Sequence, residues 1–367
     1  MNGTLVEGLW LKLSAVALCL LLVTGARAQG GERPLTSQEL VRLVYQLPSH
    51  PERRDEVVEE IRRRGIGFPL TEGLRSVVAS KSGNDALLRR TLDEAERRRL
   101  NPTAAALPSE AEGAEVLARS KAATLAATDA MPDFIVKQQI VRSYARANTN
   151  NWQTSDRLTV AVSYRAGLGE EYKVLAVNGL PTGTENQEGR SYEQVGGTSS
   201  TGEYVSMLAE IFSEETRAAF KTVDTDTLRG RRAIVYEFEV KKPFSHQIIK
   251  AKDRAGIEQV CTSGYRGRLW IDRETYRVLR MENVATDIPA GFPVTAASSV
   301  IDYDWTTIAE KQYLLPSRAE IILSSGLGQE SLQSRNEIRF RNYQKFGTEV
   351  KIIEDIDEKD MKDDGKP

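Results

Sequence analysis

The cleanest alternation in the chain is Ile234, Tyr236, Phe238 and Val240, with Glu237 and Glu239 between them. Apolar residues two apart separated by acids are the pattern of a strand with one buried face and one wet face. Residues 264–282 carry the pattern on into a hairpin. Leu269, Trp270 and Ile271 lead into a polar turn at Asp272-Arg273-Glu274-Thr275, and Tyr276, Val278 and Leu279 lead out of it. With Arg273 and Glu274 at the tip, Ile271 is expected opposite Tyr276 and Leu269 opposite Val278. Trp270 then falls on the other face with Leu279 and Met281. A hairpin apolar on both faces belongs in the middle of a larger antiparallel sheet.

Other segments repeat the two-residue period. Leu158, Val160, Val162 and Tyr164 form one strand, and Tyr172, Val174 and Ala176 another that ends near Asn178-Gly179. Further strands are expected at 247–251, 294–303, 313–323, 337–343 and 350–353. Two helices interrupt them. One begins after Pro132 and carries Phe134, Ile135, Gln138, Val141 and Tyr144; the other follows Thr201-Gly202-Glu203 and carries Val205, Leu208, Ala209 and Phe212. A loop of about 20 residues precedes the second, long for the inside of a domain. The expectation for 131–355 is therefore an α+β domain: a curved antiparallel sheet of eight or more strands, an incomplete β-barrel, with covering helices.

Residues 35–100 follow a helical period instead. Thr36-Ser37-Gln38-Glu39 is a capping box ahead of Leu40, Leu43, Val44 and Leu47. Ser49 and Pro51 open a second helix with Val57, Val58 and Ile61, closed by Gly65. Thr71 opens a third with Leu74, Val77 and Val78, and Asp85 a fourth with Leu87, Leu88 and Leu92. Residues 35–100 thus predict a small all-helical module. Residues 101–130, alanine-rich with Pro102 and Pro108, predict a linker, helical over 109–125, that holds the domain boundary. Residues 356–367 predict a charged tail.

Residues 1–28 have the form of a leader. The apolar run at 13–23 is too short to span a bilayer, Lys12 precedes it, and Ala26-Arg27-Ala28 offers small residues for cleavage before Gln29. Cys19 lies inside that run behind Leu18, which argues against lipidation. Export to the periplasm or beyond is the expectation, with Cys261 the cysteine left behind, read as a buried strand residue. No later apolar stretch is long enough to cross a membrane.

The chain has 367 residues, 28% of them charged, and a net charge of −2, which supplies no field to recruit nucleic acid. Arg62-Arg63-Arg64 and Arg97-Arg98-Arg99 have acids at helical spacing, so they predict ion-paired helix faces. His50 and His246 stand far from any cysteine or second histidine, so zinc has no ligand set. No serine sits in a Gly-x-Ser-x-Gly elbow. The run from Gly196 to Gly202 lacks the Lys-Ser/Thr ending of a nucleotide loop and predicts a capping loop. Asp302 and Asp304 are placed on one strand face, where they read as a catalytic pair, a calcium site or a solvated edge. No cofactor is implied.

Met131-Pro132-Asp133-Phe134, Gly202-Glu203-Tyr204, Gly264-Tyr265-Arg266-Gly267 through Trp270-Ile271-Asp272, and Tyr313-Leu314-Leu315-Pro316 resemble motifs of a widespread group of uncharacterised exported bacterial proteins. More distantly, the hairpin followed by Val278-Leu279-Arg280 is similar to outer-membrane lipoprotein-sorting proteins of the LolA and LolB kind. That resemblance implies an incomplete antiparallel barrel closed by helices, with a hydrophobic cavity for acyl chains. It leads to the expectation of a non-enzymatic binding protein carrying a lipid or lipidated polypeptide, with Ile234, Tyr236, Phe238, Leu269 and Ile271 as cavity candidates. Two alternatives stay open: an envelope scaffold that docks a protein partner through the helical module, and a hydrolase using Asp302 and Asp304.

Overall fold

Thr36 accepts a hydrogen bond from the Glu39 amide while the Glu39 carboxylate accepts one from the Thr36 amide, so the expected capping box opens the first helix. The computed structural model describes residues 33–346 except 104, 147–148, 150, 183–189, 200–204, 254 and 327–330. The leader at 1–28, the strand at 350–353 and the tail at 356–367 lie outside the described residues. Two compact units divide the chain, Met1–Ala106 and Leu107–Pro367.

Among the described residues, the first unit contains four α-helices: α1 (Ser37–Tyr45), α2 (Arg54–Arg64), α3 (Glu72–Lys81) and α4 (Ala86–Leu100). Thr71 caps α3 and Asp85 caps α4, each accepting from the amide three residues on. Gly65 ends α2 at φ +67°, a conformation a side chain would resist. Leu40, Val44, Val57, Ile61, Leu88 and Leu92 meet in one core. Arg62 and Arg64 pair with Glu59 and Glu60 at 2.9 and 3.0 Å, so the basic run is an ion-paired helix face.

The second unit opens with α5 (Glu110–Asp129), capped by Ser109. Its strands are β1 (Phe134–Arg146), β2 (Gln153–Arg165), β3 (Gly169–Val177), β4 (Leu180–Pro181), β5 (Ala219–Leu228), β6 (Arg231–Val240), β7 (Ile248–Lys252), β8 (Glu258–Thr262), β9 (Gly264–Asp272), β10 (Val278–Thr286), β11 (Val294–Ile308), β12 (Lys311–Ser325) and β13 (Leu332–Lys345). Two helices, α6 (Tyr192–Val195) and α7 (Val205–Phe212), lie between β4 and β5. Eleven strands form one antiparallel sheet in the order β4-β3-β2-β1-β13-β12-β11-β10-β9-β6-β5, while β7 and β8 pair as a separate ribbon. The sheet ends on β4 and β5 instead of closing, which is the incomplete barrel expected. Register breaks within β1, β2, β5, β10 and β11 let it curve.

Three expectations need correction. The helix after Pro132 is strand β1. Its inward positions are Phe134, Val136, Gln138 and Ile140, and the buried Gln138 receives the Tyr192 hydroxyl at 3.3 Å. The hairpin register also differs: Ile271 faces Val278, Trp270 faces Arg280 and Leu269 faces Met281. Asp272 Oδ1 collects the amides of Glu274 and Thr275, and Tyr276 turns to φ +57°. The turn is therefore longer than two residues, and a bulge follows at Leu279. Met281 consequently joins Leu269 in the main core, while Trp270 packs outside with Val223, Ala233 and Val235. Finally, the long loop is broken by α6, which sends Tyr192 into the core.

The helix expected over 109–125 is α5, which runs on to Asp129 and lies on the sheet. Val116, Leu117 and Leu125 from α5, with Leu208, Ile211 and Phe212 from α7, share a core with the inner faces of β1–β3, β6 and β9–β13.

Candidate functional site

All five cavity candidates stand on neighbouring strands in that inner core. Ile234 pairs with Ile271 and Tyr236 with Leu269 across β6 and β9, and Phe238 follows two residues along. Each is at most 2% exposed. Helix α5 covers them: the Tyr236 hydroxyl donates to Gly113 O at 2.7 Å, and Arg273 in the hairpin turn donates to Glu112. Burial pushes the Tyr236 phenol well above its usual range. Tyr265, also raised by burial, donates to Glu210 at 3.1 Å. These residues form packed wall.

Open space lies beside them, near the C-terminal end of α5. A pocket of about 250 Å³ is lined by Thr124, Ala127, Met131, Leu208, Val278, Trp305, Tyr313 and Leu314, with Ala126, Ala130, Gln312 and Arg277 completing it. Val278, the cross-strand partner of Ile271, joins the pocket to the candidates' layer. Solvent reaches it past Ala126, Ala130 and Trp305, which are exposed. Arg277 is half-buried; its Nη1 donates to Ala123 O, and burial pulls its pKa down.

The strand pattern alone does not single out these lining residues, because they come from the ends of α5, β10, β11 and β12. The motifs Met131-Pro132 and Tyr313-Leu314 did mark two of the segments, although as family signatures and not as a lining.

The remaining chemistry candidates are engaged in structure. Asp302 accepts Arg280 through both oxygens, at 2.8 and 2.9 Å, and Arg229 at 3.2 Å. Asp304 Oδ1 accepts the Trp305 amide at 2.8 Å. His50 and His246 are exposed beside Glu52 and Glu210. Gly196 closes α6 at φ +72°, and Arg142 donates to its carbonyl while pairing with Asp156. Residues 200–204 of that glycine-rich run lie outside the described residues. Cys261 is buried on β8 against Ile249, Phe292 and Val294. No group of three or more metal-ligating side chains occurs among the described residues, and none of their helices is long and apolar enough to cross a membrane.

No protein-family profile matches the chain, and no curated protein matches it. Solved structures do match at a distance. An outer-membrane lipoprotein-sorting protein domain from Vibrio parahaemolyticus is 13% identical, with a TM-score of 0.32, over 65% of this chain and 94% of that one. A DUF1329 family protein from Desulfovibrio piger is 10% identical, with a TM-score of 0.27, over 64% and 95%. The MucA/MucB complex from Pseudomonas aeruginosa matches at 10% identity and a TM-score of 0.17, over 61% and 94%. At these identities and TM-scores the likenesses assign neither a fold nor a role, and the chain's function has to be argued from its own residues.

Proposed function

We propose that this chain is a non-enzymatic binding protein of the cell envelope, exported by its leader, that holds an apolar ligand in the pocket under α5 and α7. The observation carrying this reading is the pocket itself: Met131, Leu208, Val278, Trp305, Tyr313 and Leu314 present apolar surface to a space of about 250 Å³ that solvent can enter. Each methylene that leaves water for such a site contributes about 0.8 kcal/mol. Binding is favoured over hydrolysis because Asp302, the better-placed member of the acidic pair, is already neutralised by Arg280 and Arg229. Ile234, Tyr236, Phe238, Leu269 and Ile271 serve this reading as the rigid wall behind the pocket.

Native mass spectrometry of the protein purified from its own compartment tests it. A lipid-sized mass should accompany the protein and be missing from Ala127→Trp, which fills the pocket from the surface of α5. Lipid retained unchanged in that variant, or no lipid in the wild type, rejects the reading. A bound protein in place of lipid would favour docking.

A further inference from the structure

Among the described residues that line the pocket, Arg277 alone is charged. A guanidinium facing an apolar space is costly unless something meets its charge. Arg277 has no ion pair with any described residue, and the one hydrogen bond of its guanidinium among the described residues runs from Nη1 to Ala123 O. That contact fixes the head against the last turns of α5. The Nε and Nη2 donors make no hydrogen bond within the described residues, and this edge of the fork matches the two oxygens of a carboxylate. Neighbouring arginines differ: Arg273 is held by Glu112, Arg280 by Asp302 and Arg231 by Asp272. Arg277 is left available where the pocket is.

Size narrows the ligand further. About 250 Å³ falls below the roughly 300–1,000 Å³ of sites for drug-sized ligands, which suits one alkyl chain and not the several chains of a lipidated polypeptide. Building on the reading of this pocket as a ligand site, we infer that it takes a single-chain alkyl carboxylate, its tail among Met131, Leu208 and Leu314 and its head on Arg277.

Titration calorimetry of the full chain with decanoate, decanol and decylammonium tests this, at a pH where decanoate is ionised. Decanoate should bind about 10- to 100-fold more tightly than decanol, as expected for a charge-assisted pair, and decylammonium should bind most weakly. Arg277→Gln should erase the advantage of decanoate over decanol, and Arg277→Lys should keep part of it. Equal affinity for decanoate and decanol in the wild type overturns the role of Arg277 and leaves the apolar pocket standing. A preference that survives Arg277→Gln overturns it too. Failure of all three probes removes the pocket reading along with it. The wild-type comparison needs no variant, so misfolding of Arg277→Gln, visible by circular dichroism, cannot decide the question.

Discussion

Arg273 Nε donates to Glu112 Oε1 at 2.9 Å, and this pair joins the tip of the β9–β10 hairpin to the first turn of α5 across 161 residues of sequence. The arginine side chain is 18% exposed and the glutamate 39%, so the pair is neither free in water nor sealed from it. A double-mutant cycle of Arg273→Ala and Glu112→Ala should return a coupling of about 1 kcal/mol in urea unfolding. A coupling of zero would mean that α5 is held by its apolar contacts and by its other hydrogen bonds, those of Tyr236 to Gly113, Arg277 to Ala123 and Arg119 to Tyr276.

Gly267 should tolerate no side chain. A Cβ there would stand 2.8 Å from the Glu282 carbonyl carbon and 2.9 Å from Phe238 Cε1, with the Glu282 oxygen nearer still. Two of those atoms are backbone of the partner strand β10, which cannot rotate aside. Gly267→Ala should cost more than about 3 kcal/mol and lower the thermal midpoint or the soluble yield accordingly. A variant within about 1 kcal/mol of wild type would show that β9 and β10 can separate cheaply.

Asp272 should make stability acid-sensitive. Burial, the largest influence, pushes its carboxyl up, but the Glu274 amide, Arg231 and the Thr275 amide together outweigh it, so its pKa lies below the ordinary carboxylate range. A depressed folded-state pKa contributes stability that is present above the unfolded value of about 3.9 and is lost as pH falls through the folded value. Asp272→Asn should therefore cost most above about pH 5, with the gap to wild type closing toward about pH 2. Urea midpoints across that range measure it; a gap independent of pH would contradict the assignment.

Cys261 should be chemically quiet. Burial raises its thiol pKa, against a small opposing effect of Lys242. In a Cys19→Ser background, reaction with a thiol reagent should be at least on the order of tenfold slower in the native protein than in denaturant. Equal rates would place the thiol at the surface.

The sequence made the helical module and most strands legible because caps and alternation are local signals. Thr36, Thr71 and Asp85 act on amides three residues away, and Tyr236–Val240 alternates without a break. β1 was not legible because its inward position 138 is a glutamine. That residue breaks the apolar period of two, and Phe134, Ile135, Val141 and Tyr144 then mimic a helical face. Tyr192, 54 residues away, supplies this buried polar residue with a hydrogen bond. The hairpin register was misplaced for a related reason: Asp272 gathers two amides and lengthens the turn, an effect that composition does not reveal. The pocket was the least legible part, since it exists only where the ends of α5, β10, β11 and β12 converge beside Leu208 of α7.

One feature of the sheet order bears on how the protein is made. Strand β1 is the first to be synthesised, yet one of its two neighbours is β13, with Ile140 opposite Ile338 and Gln138 opposite Phe340. Half of its backbone hydrogen-bonding edge must wait until residues near 340 have left the ribosome. An unsatisfied edge held open that long invites wrong pairing, so during synthesis this unit depends on being kept apart from other chains until its final strand arrives.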